Sequence, residues 1–208
     1  VASQFHNVLE WTHNSDERVN IFKDKFTYVV DHEVIEILDR YDVQKSILAM
    51  MEADIIHMPA PDLVFEFSVE PSARRFVRVQ EKEKGYFVAD VITYLPGKAV
   101  LVSEKPYEVI VSNNDMEVRG GAANSDKFAA LFAVSIGLLM LNIQGIEKIQ
   151  IDTTIFNRSR IRRGRAIAPA HSLIHIGSVY DRKMRQHKRG TEAGRKMPVH
   201  FRTAHTRR

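Results

Sequence analysis

The chain has 208 residues, 44% of them hydrophobic, which suits one domain with a buried core. It contains no cysteine, which excludes disulfides, thiolate metal sites and a cysteine nucleophile. The net charge of +4 conceals a split: residues 1–150 hold 15 Lys/Arg against 23 Asp/Glu, and residues 151–208 hold 15 against 3.

The N-terminal part reads as helical. Phe5, Val8 and Leu9 recur at helical spacing, and so do Val19, Phe22, Phe26, Val29 and Val30. Asn14 or Ser15, followed by Asp16 and Glu17, marks a helix start, because carboxylates favour the positive end of the helix dipole. Periodic stretches follow at 32–38 and 43–56, and Met58-Pro59-Ala60-Pro61 stops the second. The period then changes to two. Leu63, Phe65, Phe67 and Val69 alternate with Val64, Glu66 and Ser68, as in a half-buried strand. Further strands are expected at Phe76–Val79, 86–94, 100–103 and 107–111, with a turn at Leu95-Pro96-Gly97-Lys98. Strands this closely spaced imply an antiparallel sheet, since parallel crossovers need intervening helices.

Ser112-Asn113-Asn114-Asp115 is a turn cluster, and Gly120-Gly121 reads as a hinge, because it lacks the Lys-Ser/Thr of a phosphate-binding loop. Asn124 or Ser125 with Asp126 opens a long helix over 127–142, apolar on nearly every side and so expected at the centre of the fold. Ile146, Ile149 and Ile151 make a short strand. Residues 128–143 fall about a turn short of a bilayer span, and no basic-then-apolar leader opens the sequence, so no membrane association is expected.

From Asn157 the composition turns basic. Arg158, Arg160, Arg162, Arg163 and Arg165 crowd together and read as a surface loop able to track a phosphate backbone. Residues 172–179 read as a strand returning to the body, and 181–196 as a polar loop or frayed helix. His171 and His175 stand four apart, but on a strand and with no carboxylate at a suitable spacing, so no metal and no cofactor are expected. Trp11 is read as core. The division is an acidic α+β body at residues 1–156 and a basic segment at 157–208, packed on the body or extending from it. Arginine suits bidentate phosphate contact, and the charge split points to a polyanion partner, RNA or a ribosome.

The C-terminus repeats His-x-Arg: His200 with Arg202, then His205 with Arg207. In an extended strand each His stands beside its own Arg. Two imidazoles and two guanidinium groups suffice chemically for metal-independent RNA cleavage with the ribose 2′-OH as nucleophile. The plainer reading, which the residues favour, is that they bind phosphate and stack on bases. A virion or assembly protein whose basic tail neutralises nucleic acid is a further alternative.

The stretch Pro198-Val199-His200-Phe201-Arg202-Thr203-Ala204-His205-Thr206-Arg207 resembles the Pro-His-x-Arg-Arg-Gly-His-x-Arg signature of a family of phage and mobile-element proteins that includes type V-A anti-CRISPR proteins. Thr203-Ala204 replaces the signature's Arg-Gly. The resemblance implies a phage-encoded interference protein in the bacterial host cytoplasm. It would bind the nascent peptide of a defence nuclease, contact mRNA or the ribosome through its basic end, and so lower the nuclease's expression.

Overall fold

The computed structural model describes residues 3–12, 16–23, 25, 27–31, 34–36, 41–52, 56–70, 73–112, 115–121, 123–139, 146–168 and 170–176. Helices α1 (Phe5–Trp11) and α2 (Glu17–Asn20) lead into strand β1 (Thr27–Val30) and then helix α3 (Tyr41–Glu52). Strands β2 (Asp62–Glu70), β3 (Ala73–Glu83), β4 (Tyr86–Leu95), β5 (Ala99–Val102), β6 (Tyr107–Ser112) and β7 (Asp115–Arg119) follow. The described chain continues through helix α4 (Asn124–Leu139), strand β8 (Ile146–Ile151), helix α5 (Thr154–Arg162) and strand β9 (His171–Ile176). The class is α+β.

The strands form one sheet in the order β7-β6-β4-β3-β2-β1-β9-β8, with β5 paired to β4. From β2 to β7 the pairing is antiparallel, but β1 runs parallel to both β2 and β9. The sheet is therefore mixed, not antiparallel as the strand spacing implies. The cause lies between β1 and β2, where the chain passes through α3 and returns in the same direction. The helical spacing that ends at Val29 and Val30 is also corrected: Val19 belongs to α2, while Val29 and Val30 belong to β1. Strand β9 lies between β1 and β8, so part of the basic segment belongs to the sheet.

Alternation along the strands gives the sheet two covered faces. Leu63, Phe65, Phe67, Val77, Val79, Phe87, Ala89 and Val91 point to one face, where α4 packs with Ala129, Ala130, Ala133, Val134, Ile136 and Leu138. A helix apolar on most sides fits there, because it also meets α3. Gly137 is needed at this packing, since a Cβ at that position would sit 2.3 Å from the Met58 sulfur. The opposite face carries Val64, Phe76, Ile92 and Tyr94, covered by Phe5, Val8 and Leu9 of α1 and by Val19 and Phe22. The chain bends at Gly120-Gly121. Both have positive φ, and the Gly121 backbone lies so close to the Tyr107 ring that a Cβ would fall 2.0 Å from it.

An ionic cluster ties β1 to this frame. Arg78 donates to both Asp62 oxygens at 2.9 and 2.8 Å, and Lys25 Nζ lies 2.7 Å from Asp62 Oδ2. These hydrogen bonds, Arg78 first, hold the Asp62 carboxyl at about 2 against burial, which acts the other way. The folded value lies below the unfolded 3.8, so the stabilisation is complete above about pH 4 and is lost as the pH falls toward 2. Asp62→Asn should lower Tm at pH 6 by about 2–4 °C, the effect of about 1 kcal/mol in a chain of this size. The gap should close near pH 2. A Tm difference that is the same at both pH values would show that the carboxylate charge does not matter.

Candidate nucleic-acid interface

Helix α5 begins where Asp152 Oδ1 accepts the Thr154 N–H at 2.8 Å. It buries none of its residues. Basic side chains in its last turn suit the negative end of the helix dipole, which accounts for part of the local arginine content without any ligand. Gly164, with φ of 62°, ends the helix, and Arg165 N–H closes it on the Arg160 carbonyl. The following turn is pinned from below. The Asn157 side chain donates to the Ala168 carbonyl and accepts the Ala168 N–H, both at 2.9 Å. The arginines predicted to lie on a loop are therefore carried by a helix and a braced turn.

The five arginines separate into two kinds. Arg158, Arg162, Arg163 and Arg165 are exposed. Arg160 faces inward: it bonds the Glu10 carboxylate and the Ala166 carbonyl, and its guanidinium lies 5.3 Å from the Phe156 ring centroid. Its side chain is 11% exposed. Ile155 and Ile161 share the solvent side of α5 with Arg158 and Arg162, at 78% and 65% exposure. The exposed side of α5 thus mixes arginine with apolar side chains.

Helix α1 lies next to α5 through Glu10–Arg160 and through His6, whose ring meets Phe156 edge-on at 5.5 Å. Its N-terminal end is fixed on the sheet. Both Glu66 oxygens accept the Gln4 N–H at 3.0 Å, and the Ser3 N–H donates to His171 Nε2 at 3.3 Å. Burial pushes the Glu66 carboxyl above the usual range, and burial followed by Arg160 lowers His6. Glu66 alternates with the apolar face of β2 and so reads from sequence as a solvent-facing residue. Here it is wholly buried because α1 covers the second face.

Past this anchor, Asn7, Glu10, Trp11 and Tyr94 line an open cleft of about 450 Å³. Trp11 is 47% exposed and is not core. The sequence did carry that signal: Trp11 falls off the helical stripe set by Phe5, Val8 and Leu9.

His200, Arg202, His205 and Arg207 lie outside the described residues. His171 is buried as an acceptor on β9. Among the described residues, no three metal-binding side chains gather, and no helix is long and apolar enough to cross a membrane. Compared with family models, with curated proteins and with solved structures, the chain matches none.

Proposed function

We propose that this chain is an RNA-binding protein that contacts the phosphate backbone through Arg158, Arg162, Arg163 and Arg165. It would serve the role its C-terminal likeness implies, lowering expression of a defence nuclease by engaging its mRNA and nascent peptide. One observation carries the RNA part of this reading: four exposed arginines stand on a helix and a braced turn, apart from the one arginine used for packing. A backbone fixed in this way adds little ordering cost on binding beyond that of the arginine side chains themselves.

Titration of a fluorescent single-stranded RNA at several salt concentrations tests it. Four phosphate contacts to a single strand contribute about −3 to the slope of log affinity against log salt. The full chain should show a slope at least that steep. Salt-independent binding, or none at low salt, would remove the proposal.

A further inference from the structure

The arginines face backbone charge and give no reason to prefer single strands. The cleft on the neighbouring helix does. Trp11 supplies a half-exposed indole, and Asn7 and Glu10 supply polar groups, while Tyr94 is buried in the second core and adds only the small part of its surface that reaches the cleft. Its volume falls within the roughly 300–1,000 Å³ of small-ligand sites. Glu10 connects the two regions, since it lines the cleft and also holds Arg160 of α5.

Resting on the RNA reading above, we infer that the cleft beside Trp11 takes an unpaired nucleobase of the strand whose phosphates meet α5. Three features favour a base over an aliphatic side chain. Indole offers a flat face that any base can stack on. The Asn7 amide donates to Gln4 Oε1 at 2.5 Å, which orients it and leaves its carbonyl oxygen for a base amino group. The cationic helix beside it complements a phosphodiester, whose charge an apolar peptide lacks. A base held in a duplex cannot enter, so this site would give preference for single strands.

Trp11 is the single tryptophan in the chain, so its emission reports the cleft directly. The full-length chain would be titrated with oligoadenylate, with the same strand in a duplex, and with inorganic polyphosphate, which carries charge but no bases. Oligoadenylate should quench Trp11, while polyphosphate should bind without quenching and the duplex should bind more weakly. Trp11→Ala should weaken oligoadenylate binding roughly ten-fold, the order lost with one stacked base, and leave polyphosphate binding unchanged. Trp11→Phe should restore most of the affinity. Oligoadenylate that binds both wild type and Trp11→Ala equally, with no quenching, would overturn this inference and leave the arginine reading intact. Failure of both polymers to bind would overturn both. Quenching produced by raising protein concentration alone would assign the cleft to a second copy of the chain and overturn the base assignment.

Discussion

Phe76→Ala is expected to lower the unfolding free energy by about 3–5 kcal/mol and to loosen α1 before any other element. Phe76 is fully buried on β3, on the face that α1 covers, and the Phe5 ring meets it edge-on at 5.4 Å. The core on this face is the smaller of the two, and Phe76 lies in it directly against Phe5 of α1. Deleting the ring leaves a cavity under Phe5 that a β-strand cannot collapse to fill, because its neighbours Val64 and Ile92 are held by ladder bonds. Amide exchange should separate the two faces. Protection in α1 should fall well below protection in α4, whose packing against Phe65, Val77 and Val91 is on the other side of the sheet. Trp11 emission should shift with the loss of α1, and Phe76→Leu should restore most of the stability. A loss under about 1 kcal/mol, or uniform deprotection of α1 and α4, would show that the second core does not hold α1 as described.

The contrast between the two faces explains what the sequence could reveal. Period-two alternation located β2, β3, β4 and β6 because one set of side chains on each strand is strongly apolar. It could not reveal that the other set is also covered, since Glu66 and Arg78 look like solvent-facing residues until the partners Gln4 and Asp62 are seen. β1 was hidden for a related reason. Its Val29 and Val30 extend a helical spacing, and only lateral pairing with β2 and β9 makes them a strand. From the sequence α5 reads as a loop, because five arginines obscure any apolar stripe; its ends are set by Asp152 and Gly164. Which arginine is structural was not legible at all. The partner of Arg160 is Glu10, 150 residues away, and no local pattern encodes that pairing.

That division among the arginines makes the second large prediction. Replacing Arg158, Arg162, Arg163 and Arg165 together with Gln should leave the fold nearly as stable as before, because exposed substitutions each change stability by about 0.5 kcal/mol or less. RNA affinity near 0.1 M salt should nevertheless fall by about two to three orders of magnitude, and the salt slope should flatten by about 3. Arg160→Gln should do the reverse. It leaves the Glu10 carboxylate and the Ala166 carbonyl without their shared donor and removes the cation from the Phe156 face. Glu10 is about a third exposed, so water compensates in part, and a loss of about 1–3 kcal/mol is expected. Its RNA salt slope should stay near that of the wild type, because Arg160 already has a protein anion and has no counterion to release. Equal slopes for the quadruple variant and the wild type would mean that the phosphate contacts lie elsewhere on the chain. A stable Arg160→Gln protein with a flattened slope would mean that the Glu10 pair opens to RNA. Only the combination of a stable, weakly binding quadruple variant and a destabilised single variant with a normal slope agrees with one inward and four outward guanidinium groups.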